Sequence, residues 1–321
     1  MFYKAFIDPR STISYSSFYI QGLYDVLGKK NVQFSSRYFS DLEEIDMLMA
    51  FVLIGNEFVK KIIIDYRDQS DIIEDAFIWS DLYAKINIDA ITRKHPFSEK
   101  LINIPPSFAI QIWHPAEFIF HLGNNFIKAK IINHFNDNNI HLRPQRWVRN
   151  YLSLLKRQTL KQCTVGSKLS EDNYVFFVST LWPDQNKTNS GRYHYILACS
   201  RKQELNFEGG FFINKQLWGT TVPRDLIPQK LLYYKYISNK IYIKNIKKSI
   251  FVFNTPAVSN CHGWKLGEFL CMGKAVISTP LINELPVPLE HGKNIYFVNS
   301  EQDIEKSITL LLEDKDFRHN L

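Results

Sequence analysis

Cysteine is scarce in this sequence, and the few cysteines are far apart. The chain of 321 residues has four of them, at positions 163, 199, 261 and 271, and none forms a CxxC pair. A disulfide-stapled secreted domain or a zinc ribbon needs closer spacing than this. We therefore expect reduced thiols, which are typical of a protein of the cytosol.

A long hydrophobic run is also lacking. Lys4 and Asp8 interrupt the N-terminus, where a signal peptide would need an apolar stretch. The longest apolar run, residues 47–55, has about half the length that a membrane span requires. We therefore expect a cytoplasmic protein, and peripheral attachment to the inner face of a membrane stays open.

Acidic residues are missing from one long stretch. None occurs between Asp137 and Glu171. That stretch holds seven basic residues, namely Arg143, Arg146, Arg149, Lys156, Arg157, Lys161 and Lys168. These residues alone could supply the net charge of +7, and a basic surface attracts the phosphates of nucleotides, nucleic acids or lipid headgroups.

Part of this basic stretch has the pattern of a helix that begins at Pro144. Trp147 and Tyr151 would lie on its apolar side. Such a helix is either a solvated face over an apolar underside or a contact with a membrane surface through residues 143–161. Both interpretations stay open.

Metal-binding patterns are absent as well. No pair of histidines has metal-ligand spacing on one helix. The only Asp-x-Asp sequence, Asp314 to Asp316, falls in a predicted terminal helix, which is the wrong place to hold a metal on a nucleotide diphosphate. We expect neither a metal ion nor another cofactor.

The sequence does contain a regular alternation of short apolar runs and amphipathic segments. This alternation predicts an α/β fold whose parallel sheets are covered on both faces. The predicted strands are residues 4–8, 31–37, 49–54, 61–65, 82–88, 108–113, 174–180, 211–213, 250–253, 275–278 and 294–298. The predicted helices include residues 15–27, 192–202, 264–272 and 301–312.

A polar stretch at residues 164–173 separates two such series and is interpreted as a linker. It divides the chain into an N-terminal domain, residues 1–165, and a C-terminal domain, residues 172–321. The length of the chain suits two domains of roughly 150 residues each. In open α/β sheets, ligands bind beyond the carboxyl ends of the strands.

The most informative stretch, residues 260–279, reads NCHGWKLGEFLCMGKAVIST. A glycine turn before a helix lets backbone N–H groups approach a diphosphate, and the helix N-terminus favours its negative charge; Gly263 holds that place. Lys265 lies in the first helical turn, where a cation opposes the helix dipole. Its presence there therefore indicates a bound anion. Glu268, one turn further on, could accept hydrogen bonds from two ribose hydroxyls.

This stretch resembles the donor-binding domain of GT-B glycosyltransferases of the family 4-like group, whose motif has the form E-x-F-G-x4-E-x4-G-x-P-V-I. Gly263, Glu268 and Gly273 fall on that spacing, and the likeness continues through residues 284–314. The resemblance implies two Rossmann-like domains with parallel sheets that face a central cleft. The N-terminal domain would bind the acceptor, and the C-terminal domain would bind a nucleotide-sugar.

The resemblance also implies further donor-binding residues. Asn260 stands where the family has a glutamate that is associated with the donor sugar, and it could still bond sugar hydroxyls together with His262. The family places an arginine and a lysine on the diphosphate, and the nearest cations here are Lys187 and Arg192. A guanidinium suits bidentate phosphate binding, which favours Arg192.

The N-terminal half resembles some bacterial polysaccharide glycosyltransferases in two shorter stretches, residues 62–68 and 81–87. This likeness would put Asp65 and Asp68 at the end of a strand, with Lys85 at the end of another. Such a carboxylate could be the general base for an acceptor hydroxyl in an inverting enzyme, or it could simply cap a helix. The loop after the first strand, residues 8–15, is a candidate acceptor contact.

These features predict a metal-independent glycosyltransferase that moves a sugar from a nucleotide-diphosphate donor to a glycan or a lipid-linked acceptor. Alternatives are a nucleotide-sugar epimerase, a glycan phosphorylase, a non-catalytic GT-B-like scaffold, or a basic protein that binds phosphate or phospholipid. Nucleic acid is not an expected partner, because no nucleic-acid-binding motif is present. The nucleotide, the sugar and the stereochemistry stay open, and either a truncated chain or a disordered tail is expected at residue 321.

Overall fold

The computed structural model describes residues 3–43, 45–95, 98–133, 142–164, 173–214 and 227–321. The chain divides into two units. The first unit comprises Met1–Gln162 and Asn283–Pro286, and the second comprises Cys163–Ile282 and Val287–Leu321. Most of the predicted linker, residues 165–172, lies outside the described residues.

The described part of the first unit contains a six-stranded sheet with the spatial order β2-β1-β3-β4-β5-β6. The strands are β1 (Lys4–Ile7), β2 (Val32–Phe34), β3 (Leu48–Ile54), β4 (Val59–Asp65), β5 (Leu82–Lys85) and β6 (Leu101–Asn103). The helices are α1 (Ile13–Leu27), α2 (Glu74–Trp79), α3 (Pro115–Ile132) and α4 (Pro144–Leu154), and α5 (Leu160–Cys163) follows at the end of the unit.

This sheet is mixed, so the expectation of a wholly parallel sheet is wrong for the first unit. Strand β3 runs antiparallel to both of its neighbours, β1 and β4, whereas the other pairs are parallel. The cause is the short connection between β3 and β4, which the N–H of Gly55 closes by donating to the carbonyl of Phe58 at 2.9 Å. A connection this short can join only antiparallel strands.

Apolar side chains cover both faces of the sheet, as the residues of β3 show. Met49 and Phe51 belong to a core that includes residues of α1, α3 and α4. Leu48, Ala50 and Val52 belong to a second core that includes residues of α2. Alternate residues of a strand point to opposite faces, so the sheet lies between two helical layers.

Residues 108–113 were predicted to form a strand, and this prediction is wrong. The segment is mostly buried but pairs with no other strand. The N–H of Ile110 donates to Oγ of Ser17 at 3.0 Å, and the N–H of Gln111 donates to the carbonyl of Gln158 at 3.0 Å. Its backbone donors are therefore satisfied by α1 and by the chain after α4 rather than by a ladder.

The described part of the second unit contains two three-stranded sheets, and all their pairs are parallel. One consists of β7 (Tyr174–Ser179), β8 (Asn206–Phe212) and β9 (Leu232–Tyr233), and the other of β10 (Phe251–Asn254), β11 (Ala275–Ser278) and β12 (Tyr296–Phe297). The helices are α6 (Asn186–Arg201), α7 (Asn239–Lys248), α8 (Trp264–Cys271), α9 (Glu301–Glu313) and α10 (Lys315–Asn320).

The two sheets of the second unit meet along β7 and β10. At the start of the strands, the N–H of Ile250 donates to the carbonyl of Tyr174 at 2.9 Å. The next position is bridged by a side chain, because the N–H of Phe176 donates to Oγ of Ser249 at 2.9 Å. Further along, the rings of Phe177 and Phe253 are 5.8 Å apart. The strands therefore run side by side from their amino ends.

The last residues of the chain are helical. In α10, Arg318 is buried and donates to the carbonyl of Leu311. Phe317 and Leu321 pack against the core of the second unit. The expectation of a disordered tail at these residues is therefore wrong. Among the residues that the structure describes, no helix combines the length and the apolar character that crossing a membrane demands.

Candidate functional site

The carboxyl ends of β7 and β10 lie close together, and one buried arginine links them. Arg192, in the second turn of α6, donates from Nη1 to the carbonyl of Thr180 at 2.9 Å. Its Nε donates to Oγ1 of Thr255 at 3.0 Å. Thr180 follows β7 and Thr255 follows β10, so the guanidinium spans the two strand ends. The predicted diphosphate ligand Arg192 is thus placed where open parallel sheets bind ligands.

Lys265 reaches the same place from helix α8. Its Nζ donates to the carbonyl of Val178 in β7 at 3.0 Å. The same ammonium lies 4.4 Å from the centroid of the Phe177 ring, which is within the range of a cation–π contact. Lys265 therefore folds back over the end of β7, and its charge adds to that of Arg192.

Burial disfavours the charged forms of both Lys265 and Arg192. Burial is the main cause that lowers the pKa of Lys265 to about 7, and the nearby guanidinium of Arg192 lowers it further. Burial also lowers the pKa of Arg192 to about 10. Glu268 raises the pKa of Lys265, but it is the weakest of the three influences. Two cations are thus incompletely balanced by one carboxylate, and a bound anion would relieve their repulsion.

Glu268 belongs to this cluster but is hardly accessible. The residue is 5% exposed. It lies beside Tyr242 of α7, whose pKa is raised by burial first and by Glu268 second. This inward position suits a carboxylate that offsets the charge of Lys265. It gives no support to the predicted bonds with two ribose hydroxyls, because those bonds require carboxylate oxygens that face a ligand.

The turn before α8 is strained, though not at its glycine. Gly263 is the N-cap of α8 with φ −74° and ψ 163°, a conformation open to any residue, so the backbone angles themselves do not require a glycine there. The left-handed residues are Ser259, with φ 55°, and Asn260, with φ 59°. Such conformations cost a non-glycine residue about 1 kcal/mol or more and are tolerated best by asparagine. The strain therefore coincides with the predicted sugar-binding residue Asn260, while His262 is buried close to the helix start.

Lys187 lines a cleft near the end of the second sheet. It is exposed in the first turn of α6. It lines a cleft of about 320 Å³ together with Thr279, Asn299 and Glu301, beyond the ends of β11 and β12. Lys187 thus lines this cleft, whereas the cation that lies near Arg192 is Lys265. The diphosphate-binding role of Lys187 stays a prediction.

Asp65 of the first unit is fully buried and enclosed by donors. One carboxylate oxygen accepts from Nζ of Lys85 at 2.8 Å, from the hydroxyl of Tyr83 at 2.7 Å and from Nη2 of Arg67 at 3.0 Å. The other oxygen accepts the N–H of Arg67 at 2.9 Å. Burial lowers the pKa of Lys85, and Asp65 raises it. A carboxylate with all its acceptor sites used cannot take a proton from a substrate hydroxyl, so this geometry argues against Asp65 as the general base.

Asp68 has a different setting. It lies in the loop after β4 and is exposed. Its position leaves a carboxylate within reach of solvent and ligands, in contrast to Asp65. The catalytic role of Asp68 stays a prediction.

Metal chemistry has no visible support in the described ranges. There, no three or more His, Cys, Asp or Glu side chains are grouped so that they could hold a metal ion. The expectation of a metal-independent reaction stays a prediction.

No protein-family model matches this chain, and no curated protein sequence matches it. Its function therefore has to be inferred from the geometry of its sites.

One repeated feature of the first unit was not among the sequence-based predictions. Asp8, directly after β1, accepts from the N–H, Nε and Nη2 of Arg10, with the shortest distance at 2.7 Å. Asp65, at the end of β4, accepts the same three groups from Arg67. The available signal was an Asp-x-Arg sequence at the end of two buried strands. In both places, an aspartate at the end of a strand binds the side chain of the arginine two residues later.

Arg10 also lines a second large cleft, in the first unit. This cleft has a volume of about 670 Å³ and lies between the chain that leads into α1 and one face of α4. Three of the seven basic residues of the acid-free stretch line it, namely Arg143, Arg146 and Arg149. Lys168 of that stretch lies outside the described residues. Residues of the predicted acceptor loop and of the predicted basic helix thus line one cleft.

Proposed function

We propose that this protein is a glycosyltransferase that binds a nucleotide-diphosphate sugar in its second unit. The observation that carries this proposal is the pair of Arg192 and Lys265 at the adjoining carboxyl ends of β7 and β10. Two cations in a poorly hydrated place interact strongly with a diphosphate. Glu268 reduces their positive charge without cancelling it.

We further propose that the second unit is a Rossmann-like domain. Taken across the line where β7 and β10 meet, its strand order would be β9-β8-β7-β10-β11-β12. This is the 3-2-1-4-5-6 order of doubly wound sheets that bind nucleotides. Such sheets bind their ligand where the strand order reverses, which here is between β7 and β10, next to Arg192 and Lys265. The first unit would be the acceptor-side domain of a GT-B pair, with the antiparallel β3 as a departure.

The proposed reaction breaks the bond between the anomeric carbon of the donor sugar and the diphosphate oxygen. It forms a bond from the same carbon to an acceptor hydroxyl oxygen, and the hydroxyl proton leaves to a base, for which Asp68 is the candidate. Negative charge grows on the diphosphate as its bond breaks. Arg192, Lys265 and the first N–H groups of α8 would stabilise that charge, which lowers the barrier.

A nucleotide-binding protein without transferase activity is the second candidate. Two observations favour it: Asn260 carries no charge where the GT-B motif has a glutamate, and Glu268 is buried. Both candidates require nucleotide binding at Arg192 and Lys265. They differ in whether a sugar is transferred.

A ligand screen by thermal unfolding tests the proposal. We expect one nucleoside diphosphate, or its sugar conjugate, to raise the Tm of the wild-type chain. Lys265→Gln and Arg192→Gln should greatly reduce this shift, whereas Lys306→Gln should retain it because Lys306 lies exposed on α9. Since Arg192 is buried, the fold of its variant is checked by circular dichroism, and Lys265→Arg tests the charge alone.

The screen also gives the results that would contradict the proposal. A wild-type chain that no nucleotide stabilises has no donor site. A shift that survives Lys265→Gln and Arg192→Gln places the nucleotide elsewhere. Transfer of a labelled sugar from the bound donor to a glycan or lipid-linked acceptor then separates the enzyme from the nucleotide-binding protein.

A further inference from the structure

Arginines at the N-cap and in the first two turns of helix α4 form a row along the cleft of the first unit. Arg143, Arg146 and Arg149 recur at intervals of three residues, which puts them on one side of the helix. All three are exposed. Within the described part of the chain, none of them pairs with a carboxylate. A row of unbalanced cations in a concave surface concentrates positive potential there.

Buried side chains of α4 anchor the helix firmly, which fixes where this row points. Nε1 of Trp147 donates to the carbonyl of Leu122 at 3.1 Å. The hydroxyl of Tyr151 accepts from Nδ2 of Asn125 at 3.0 Å. Both aromatic residues are buried. Because these contacts prevent rotation of α4, the arginines project from a rigid element, as a preformed binding site requires.

The other wall of the cleft is fixed as well. Arg10 is held by Asp8, and its Nη2 also donates to the carbonyl of Leu42 at 2.8 Å. Asn150 of α4 accepts the N–H of Ser14 at 3.2 Å, which ties the helix to the start of α1. The cleft is therefore held open by contacts on both sides.

The charges of the lining residues favour an anion. Four arginines line the cleft, and among the described lining residues Asp46 is the acidic one. Arg10 is partly balanced by Asp8, whereas the three arginines of α4 are not. Guanidinium groups match phosphate oxygens with two parallel hydrogen bonds, which an ammonium cannot do. The volume of about 670 Å³ also admits an organic group beside the phosphate.

We infer that this cleft binds a phosphate ester, with Arg143, Arg146 and Arg149 as its phosphate ligands. The inference does not rest on the proposed donor site, because all the residues involved belong to the first unit. The phosphate can belong to a soluble ester or to a lipid headgroup. Next to the arginine row, α4 carries the half-exposed apolar residues Val148 and Leu152, which would meet acyl chains in the second case.

A titration of the 321-residue chain tests the soluble source. Lys265→Gln serves as the background, so that binding at the second unit does not contribute. We expect calorimetry to show binding of pyrophosphate or glucose 1-phosphate. The triple variant Arg143→Gln, Arg146→Gln and Arg149→Gln should weaken it by at least about tenfold. Lys156→Gln on the same stretch is the control and should change the affinity by less than about twofold.

A vesicle arm tests the lipid source. Co-sedimentation with phosphatidylglycerol vesicles, but not with phosphatidylcholine vesicles, is expected if the phosphate belongs to a headgroup. The triple variant should then stay in solution. Leu152→Ser should reduce vesicle binding and leave the titration with soluble phosphates unchanged.

Binding in either arm that the triple variant loses supports the inference. If neither probe binds, or if the triple variant binds as well as its parent, the inference is wrong. The triple variant without Lys265→Gln should keep the nucleotide-induced shift in Tm. Failure of the inference about the cleft can therefore be distinguished from failure of the proposed donor site.

Discussion

The position of Lys265 beside β7 lowers the stability of the second unit, because the charged lysine is buried there. Its pKa of about 7 lies below the ordinary value of 10.5, because burial and Arg192 disfavour the charged form. A depressed lysine pKa means that the unfolded chain binds the proton more tightly than the folded one. Stability contributed by this group therefore rises with pH from about 7 to 10.5, and at lower pH the charged Lys265 opposes folding.

The same pKa predicts how ligand affinity depends on pH. A nucleotide-sugar keeps both diphosphate charges between pH 6 and pH 8, while free Lys265 loses its proton over that range. If binding requires the charged lysine, affinity should fall by about tenfold from pH 6 to pH 8. Calorimetry at several pH values measures this. The Lys265→Arg variant should show no such fall, and a wild-type affinity that is constant over the range would contradict the prediction.

At the scale of elements, the Asp65 cluster joins β4 and β5 to the loop that follows β4. Asp65 ends β4, Lys85 ends β5, and Arg67 lies in the loop, so that one buried carboxylate organises three pieces of backbone. A buried ion pair adds little compared with an apolar pair, but removal of one partner leaves the other charge stranded. The cluster therefore specifies how the ends of these strands are arranged.

Asp65→Asn should for this reason lower the free energy of unfolding by about 3 kcal/mol. The neighbouring Asp68→Asn is a matched control and should change it by less than about 0.5 kcal/mol, because Asp68 is exposed. Urea denaturation measures both. An Asp65→Asn chain with the stability of the wild type would contradict the prediction.

At the scale of the whole molecule, the α/β class could be predicted from the alternation of apolar runs and amphipathic segments, but strand direction could not be predicted from those runs alone. The Gly55-Asn56 sequence between β3 and β4 is typical of a β-hairpin. The apolar runs on both sides of it were instead interpreted as strands of a parallel sheet. Helix α3 was missed although Pro115 and Glu117 mark its start. Its apolar residues occur on all sides, which weakens the helical period.

The candidate sites were predictable only in part, because they depend on contacts between distant segments. Arg192 and Lys265 could each be chosen from local spacing, but only the fold shows that they lie near each other and that Lys187 lines a cleft beyond β11 and β12. The arginine row of α4 was visible as a basic run. Nothing in the sequence indicated that Arg10 would line the same cleft as this row.

The first unit includes a short segment from the far end of the chain, and this can be tested. Asn283 is buried and donates to Oδ1 of Asn87 at 3.1 Å. Glu284 forms a half-exposed pair with Arg93. Asn283→Ala should cost about 1 kcal/mol of stability, and Glu284→Ala should cost less, because exposed pairs contribute little. Hydrogen exchange of the amides in β5 is the measurement. A larger effect of Glu284→Ala would contradict the prediction.

Residues 283–286 also bear on how this protein is made. During synthesis, the ribosome releases most of the second unit before this last piece of the first unit becomes available. The amide of Glu284, which donates to the carbonyl of Ile88 at 2.8 Å, is therefore among the last bonds that the first unit can form. Until residues 283–286 have been synthesised, the nascent first unit lacks these bonds, so its folding cannot be completed before most of the second unit has been made.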